Sequence, residues 1–245
     1  MFLDTVETVK EGVGFTLFEK IHLVWLLAFV VTAVTLSAIY RRLSLKPRNI
    51  MRITVACLII ANEIFKVVCL LIGGRYNPSY LPLHLCSVNI FLILFHNFKR
   101  SKLIENFLYV FCIPASIIAL LTPSWVSLPL ANFMHIHSFT VHILLGVYPI
   151  MLIVGKDIRP TVKYAPKCIL LLLALSAVAL VVNLLFDTNF MFLMRTDDIS
   201  FLVLFENLLG NHRWAFPILL PLVLVVMYLP VYILNRKPKT AQSTL

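Results

Sequence analysis

One cysteine and one histidine inside apolar segments have the side chains needed for covalent acyl chemistry. Cys86 lies in the segment LPLHLCSVN, with His84 two residues before it and Asn89 three residues after it. On a helix Asn89 shares a face with Cys86, whereas His84 points to a different face. The imidazole of His142 would take the thiol proton, and the thiolate would attack an acyl carbonyl to give a thioester. A cysteine here is otherwise a small buried hydrophobe, so spacing alone leaves both interpretations open.

A second group of polar residues lies in a later apolar segment. His135, Ser138 and His142 are spaced three and four residues apart and fall on one helical stripe, with His137 off it. Such histidines can also be satisfied packing residues. Asn183 reaches a similar depth in the next segment. We expect one outward-facing, partly dry cavity to be lined by polar residues of these segments: His84, Cys86, Asn89, His142 and Asn183, with His135 in support.

Two ionisable residues lie near the middle of another apolar segment. Glu63 and Lys66 are three residues apart, so they share a helix face. Ionisable groups in hydrocarbon are unfavourable and are therefore candidates for function. The pair could form the floor of the cavity or a proton or ion relay. It could equally be a mutually neutralising pair or a contact between helices.

A metal site is the competing chemistry for the same residues. His84, Cys86, His135 and His142 could ligate zinc or iron. The chain has no HxxxH, HExxH or CxxC spacing, and it has no GxSxG segment typical of serine hydrolases. We therefore predict neither a metal nor another cofactor.

Composition places these residues in a membrane protein. Of the 245 residues, 60% are hydrophobic and 13% are charged, with a mean hydropathy of +0.94, and a soluble domain would carry more charge. A spanning helix needs about 20 mostly apolar residues. The sequence predicts an all-α, polytopic membrane helix bundle that forms one integral domain over residues 1–245. Its seven transmembrane helices are predicted at 20–40, 53–74, 81–98, 104–122, 136–155, 168–186 and 216–234, with a short amphipathic interfacial helix at 199–209.

Most of the 21 Lys and Arg residues lie on one side of these predicted spans. The basic loop residues on that side are Arg41, Arg42, Lys46, Arg48, Arg52, Lys99, Arg100, Lys102, Lys156, Arg159, Lys163, Lys167, Arg236, Lys237 and Lys239. The positive-inside rule therefore predicts an N-terminus outside and a cytoplasmic C-terminus. This topology and the anionic inner leaflet account for the net charge of +10, so no nucleic-acid partner is predicted.

Four segments together resemble the YwaF-type family of bacterial integral membrane proteins. They are LPLHLCS at 81–87, ALLTP at 119–123, FTVHILLGVYPI at 139–150 and NFMFLM at 189–194. The resemblance runs from about residue 15 to 234 and implies a multi-pass protein of the bacterial cytoplasmic membrane. An animal relative of this family transfers polyunsaturated acyl chains onto ether lysophospholipids. The resemblance therefore implies that Cys86 carries the acyl group, that His142 is the base and that membrane phospholipids are substrates.

The residues and the resemblance lead to one preferred function and two alternatives. The first is a lipid acyltransferase or transacylase of the outer leaflet that works through a Cys86 thioester, with Asn183 or Asn89 orienting the histidine or the carbonyl. The second is a non-enzymatic lipid-binding or transport protein in which Glu63 and Lys66 are the important pair. The third is a structural role without a ligand. The sequence predicts no oligomeric state.

Overall fold

The computed structural model describes residues 1–197 and 199–235, and every regular element in that part of the chain is helical. The predicted all-α class is therefore confirmed. Several of the connections between the longer helices contain a short 3₁₀ helix. The longer helices are α1 (Lys20–Arg42), α2 (Leu45–Ile72), α3 (Leu85–Phe98), α4 (Lys102–Leu121), α5 (Phe133–Val154), α6 (Ala165–Phe186), α7 (Ser200–Leu209) and α8 (Ala215–Asn235).

Six of the described helices are long and apolar enough to cross a membrane, namely α1, α2, α4, α5, α6 and α8. The predicted third span forms the shorter helix α3, which has 14 residues. At the helical rise such a helix covers about 21 Å of a hydrocarbon core of about 30 Å. The count of seven spans and the sidedness of the termini therefore stay predictions. Arg236, Lys237 and Lys239, which contribute to the predicted sidedness, lie outside the described residues.

Helix α5 occupies the centre of the bundle, and α1, α2, α3 and α4 pack around it. Gly146 lets two neighbours approach α5 closely. A Cβ at this position would lie 3.0 Å from the Phe29 ring of α1 and 3.3 Å from Ser116 of α4. Small residues commonly allow such close packing between membrane helices. The large apolar side chains on the outer faces of α1, α6 and α8 are exposed, as expected for surfaces that face lipid.

Helix α4 contains a π-helical segment, Leu108–Cys112, near its middle. This segment packs against α3, α5 and α8, and all five of its side chains are buried. A π segment leaves backbone groups without the usual α-helical partners, and such segments are frequent at functional sites. Here the hydroxyl of Ser116 donates to the carbonyl of Cys112 at 2.7 Å, which satisfies part of the altered ladder.

Helix α2 begins earlier than hydropathy indicates. Only Leu43 and Ser44 separate α1 from α2, and α2 then runs for 28 residues. The prediction that Lys46, Arg48 and Arg52 lie in a loop is therefore wrong, since all three are inside α2. Arg52 is only 6% exposed. The physical reason is length, because a helix of about 42 Å extends beyond the hydrocarbon core and includes polar residues at its end.

Asp157, in the loop after α5, ties the ends of several helices together. Its carboxylate accepts hydrogen bonds from Tyr40 at 2.6 Å, from Arg48 at 3.2 Å and from Arg100 at 3.3 Å. Burial raises the pKa of this carboxyl, but the Tyr40 hydrogen bond and the charges of Arg100 and Arg48 outweigh burial and hold the pKa below its usual range. The carboxyl of Asp157 therefore stays ionised at neutral pH.

Candidate functional site

Cys86 lies in the first turn of α3, where His84 is the N-cap residue. Its side chain is half-buried and packs against the apolar cluster that includes Ile90, Val141 and Leu145. Among the free cysteines, Cys57 is exposed on α2, whereas Cys69, Cys112 and Cys168 are buried. A reactive cysteine needs partial access, and Cys86 is the one with intermediate exposure.

His142, on α5, is held in a defined tautomer and orientation. Its Nδ1 lies 2.6 Å from the carbonyl oxygen of Ser138, and because a carbonyl only accepts, Nδ1 is the donor. The ring stacks on Trp125 with centroids 5.3 Å apart and an interplanar angle of 11°. Within residues 1–197 and 199–235, Nε2 makes no hydrogen bond. Its lone pair is therefore available to accept a proton.

Cys86 and His142 lie on helices that contact each other, and the structure shows no hydrogen bond between their side chains. Helices α3 and α5 are in contact, and Cys86 packs against the cluster that contains Val141, the residue before His142. Catalytic hydrogen bonds are often long before substrate binds and then shorten. The structure thus contains no formed thiol–imidazole pair among the described residues, and the partnership of Cys86 with His142 stays a prediction.

His84 is covered by the segment Asn189–Met194. The backbone N–H of Met191 donates to Nδ1 of His84 at 3.3 Å, and the rings of Phe190 and Phe192 lie 5.3 Å and 5.4 Å from the imidazole centroid. Met191 and Phe192 both have a φ of 56°, a left-handed conformation that is unfavourable for such side chains. The LPLHLCS and NFMFLM segments, far apart in sequence, therefore contact each other beside Cys86.

Asn183 holds this covering segment in place. Its Nδ2 donates to the carbonyl of Phe190 at 3.1 Å, and its Oδ1 accepts from the backbone N–H of Phe190 at 2.7 Å and from the hydroxyl of Thr188 at 2.9 Å. Both the nitrogen and the oxygen of the Asn183 amide are therefore hydrogen-bonded. In the part of the chain that the structure describes, Asn183 makes no hydrogen bond with Cys86 or His142, so its geometry is that of a loop anchor.

Replacing Asn183 by alanine is expected to lower the free energy of unfolding by about 1–3 kcal/mol, because the buried N–H and C=O of Phe190 lose their partner. The Asn189–Met194 segment should then become the first part of the chain to be cut by a protease. Limited proteolysis followed by mass spectrometry measures this, with Asn211→Ala as the control at an exposed turn. An unchanged cleavage pattern would contradict the anchoring role.

Asn89 is fully buried one turn after Cys86, on the same face of α3. Neither Nδ2 nor Oδ1 has a hydrogen-bond partner among the described residues. Buried amides are nearly always paired in native proteins, so an unpaired amide calls for an explanation. A group that binds beside Cys86 would find both a donor and an acceptor there.

Both ring nitrogens of His135 form hydrogen bonds within the protein. Trp25 donates to its Nε2 at 3.0 Å, and its Nδ1 donates to the carbonyl of Leu128 at 3.1 Å. The ring is completely buried among aromatic side chains, including Phe15 and Phe139. The structure therefore separates His135 from His142, although the two share a stripe in the sequence.

Glu63 and Lys66 form a buried cluster with His137. The Lys66 ammonium lies 2.6 Å from Oε1 of Glu63, and Nε2 of His137 lies 3.2 Å from Oε2. Asn62 supports the cluster by donating to the carbonyl of His137 at 3.2 Å and to the hydroxyl of Thr140 at 2.8 Å. Sequence reasoning set His137 aside because it is off the His135–His142 stripe. The signal that could have selected it was its type, an ionisable side chain inside an apolar span.

A metal site would require several His, Cys, Asp or Glu side chains close together. Across residues 1–197 and 199–235, no group of three or more His, Cys, Asp or Glu side chains is arranged to hold a metal ion. The four residues that could ligate zinc or iron by type lie at the start of α3, for His84 and Cys86, and in two separate parts of α5, for His135 and His142.

Comparison with known proteins identifies the family. Neither the curated proteins nor the solved structures contain a significant match to this chain. A family profile matches residues 17–231, which include every site residue named above. The resemblance to a multi-span membrane family is confirmed by this match, whereas the YwaF-type assignment and the acyltransferase relation stay predictions. Because the match covers most of its length, the chain belongs to the TMEM164 family, a family of multi-span membrane proteins.

Proposed function

We propose that this integral membrane protein is a lipid acyltransferase or transacylase that works through a thioester on Cys86. The observation that carries the proposal is the state of His142. Its Nδ1 is committed to the Ser138 carbonyl and its ring is fixed on Trp125, so Nε2 is left as a free base next to the helix that carries Cys86. Nucleophilic acyl transfer requires such a base to come within hydrogen-bond reach of a partly accessible thiol.

The proposed reaction has two half-reactions that balance. Nε2 of His142 takes the Cys86 proton, Sγ forms a bond to the acyl carbon of a phospholipid, and the ester C–O bond breaks as His142 returns the proton to the leaving alkoxide. A lysophospholipid hydroxyl then gives its proton to His142 and attacks the thioester. The C–S bond breaks, and the proton passes to the thiolate.

Asn89 is the better candidate for stabilising the tetrahedral oxyanion. Its amide is unpaired and lies one turn from Cys86 on the same face, whereas the amide of Asn183 is used by Thr188 and Phe190. A preorganised donor in a dry site contributes strongly to acyl transfer. His84 and the Asn189–Met194 segment would cover the outer side of this site and limit the entry of water.

Intact-protein mass spectrometry tests the proposal. Purified wild type is incubated with phosphatidylcholine and should acquire an acyl adduct that hydroxylamine removes, as a thioester requires. Cys86→Ser should lose this adduct. Cys57→Ser is the matched control, because Cys57 is the exposed cysteine on α2 and has no part in the proposed site.

Two results would overturn the thioester. One is a wild-type protein without adduct that nevertheless transfers acyl chains between phospholipids at a rate unaffected by Cys86→Ser. The other is an adduct that persists in Cys86→Ser and disappears in Cys57→Ser.

A non-enzymatic lipid-binding or transport function is the second candidate, and the buried Glu63–Lys66–His137 cluster favours it. The packing below the cluster counts against a polar pathway. Further along α2, α3 and α5, the residues Ile59, Ile90 and Leu145 belong to one apolar cluster. Translocation of a labelled phospholipid across liposomes, lost in Glu63→Gln and retained in Cys86→Ala, would favour this candidate over acyl transfer.

A further inference from the structure

A second polar network joins α2, α3 and α5 near the start of α2. Nε of Arg52 donates to Oδ1 of Asn97 at 3.2 Å, and Nδ2 of Asn97 donates to the hydroxyl of Tyr148 at 3.0 Å. That hydroxyl also lies 2.9 Å from Nδ1 of His96. The apolar cluster with Ile59 and Leu145 separates this network from Cys86. The network is thus distinct from the site proposed for acyl transfer.

Arg52 differs from the other buried charges of the described chain. Glu63 is paired with Lys66 at 2.6 Å, and Glu105 is paired with Lys102 at 2.7 Å. Arg52 has no carboxylate within ion-pair distance among the described residues, although it is 6% exposed. Of the acids at this end of the bundle, Asp157 is paired with Arg48 and Arg100. Glu105, which lies 3.9 Å from His96, is paired with Lys102.

The hydrogen-bonding capacity of the Arg52 guanidinium is also incomplete. Nη1 is buried and has no partner, and Nη2 makes no hydrogen bond with the described residues. Arginine keeps its proton under all ordinary conditions, so the charge cannot be relieved by deprotonation. A buried charge without a partner is strongly destabilising. An anion that is not part of this chain would satisfy both the charge and the two nitrogens.

We propose that Arg52 binds the phosphate of a membrane phospholipid. The planar guanidinium fork matches phosphate oxygens in a bidentate manner. Arg52 lies about 10 Å along α2 from its first residue, Leu45, at a depth close to the headgroup layer. Arg48, one turn earlier on α2, lies on the same face and is paired with Asp157, so Arg52 is the group left for the phosphate. This lipid would be a bound structural or regulatory lipid, and its site does not depend on acyl transfer.

Thermal unfolding of the delipidated full chain in detergent tests the proposal. Dioleoyl phosphatidylglycerol is added as the probe, with dioleoylglycerol, which lacks phosphate, and inorganic phosphate as parallel additions. Arg52→Gln removes the charge, Arg52→Lys keeps the charge without the fork, and Arg42→Gln is the control, because Arg42 is an exposed arginine at the same end. Native mass spectrometry of the same samples counts the bound lipid.

We expect phosphatidylglycerol to raise the Tm of wild type and of Arg42→Gln, and dioleoylglycerol to have no effect. In Arg52→Gln the affinity should fall about tenfold or more, since a charge-assisted hydrogen bond is lost. Arg52→Lys should show an intermediate affinity. In lipid-free detergent Arg52→Gln should be at least as stable as wild type, because it removes an unpaired buried charge.

Equal phosphatidylglycerol binding by wild type and Arg52→Gln would overturn the proposal. An Arg52-dependent rise in Tm with inorganic phosphate and none with the lipid would overturn the lipid as the source. Should Arg52→Gln fail to fold, phosphatidylglycerol binding by Arg52→Lys that equals wild type would overturn it as well.

Discussion

Replacing His142 by glutamine is expected to lower acyl transfer by about 10²- to 10⁴-fold, the usual contribution of a positioned general base. Glutamine can still donate to the Ser138 carbonyl, but its amide cannot take the Cys86 proton. Transfer of a radiolabelled acyl chain from phosphatidylcholine to a lysophospholipid measures the rate. The folded fraction is measured in parallel, so that the rate is expressed per folded molecule.

The matched control is His135→Gln on the same helix. His135 contacts Trp25 and Leu128 through both ring nitrogens, so this change should lower stability while the folded fraction keeps its transfer rate. If His142→Gln transferred at the wild-type rate, the role of His142 as base would be wrong. If both variants lost transfer per folded molecule, the effect would belong to the packing of α5 and not to a proton acceptor.

Replacing Lys66 by methionine is expected to lower the free energy of unfolding by about 3–5 kcal/mol, because Glu63 would stay buried without its ammonium partner. The double variant Glu63→Gln/Lys66→Met should recover most of this loss, since an uncharged pair is no longer penalised by burial. Unfolding of the purified protein in detergent measures the stabilities of wild type, Glu63→Gln, Lys66→Met and the double variant. Lys46→Met at the exposed start of α2 is the control.

The double variant also separates the two candidate functions. If it is stable and still transfers acyl chains, the Glu63–Lys66 pair is structural and a relay through it is excluded. A double variant as unstable as the sum of the single changes would show that Glu63 and Lys66 are not coupled, contrary to their 2.6 Å separation.

The helical class could be predicted from hydropathy because each span must bury its backbone within itself. The start of α2 could not be predicted in this way, since Lys46 and Arg48 are polar. A hydropathy pattern cannot show that a helix continues past the apolar core. Arg52 illustrates the consequence. Its type suggests a solvated loop residue, whereas its burial follows from α3 and α5, which pack over it through Asn97 and Tyr148.

The sequence allows the depth of each site residue within its span to be predicted. Cys86, His142 and Asn183 are predicted at similar depths in the membrane. Depth does not determine which neighbouring helix a side chain faces. Asn183 forms hydrogen bonds with the loop that follows its own helix, and His135 accepts a hydrogen bond from Trp25 of α1. The partnership of Glu63 with His137 depends on how α2 and α5 cross, and a single sequence does not contain that information.

The π segment Leu108–Cys112 has a consequence for the register of α4. An extra residue in one turn rotates everything beyond it by about 100° around the helix axis. Before the segment, Glu105 lies 3.9 Å from His96 of α3, and after it Ser116 lies against Gly146 of α5. A uniform α-helix of the same sequence would align one of these contacts and turn the other away. A single inserted residue thus allows one span to present correctly oriented side chains to two different neighbours.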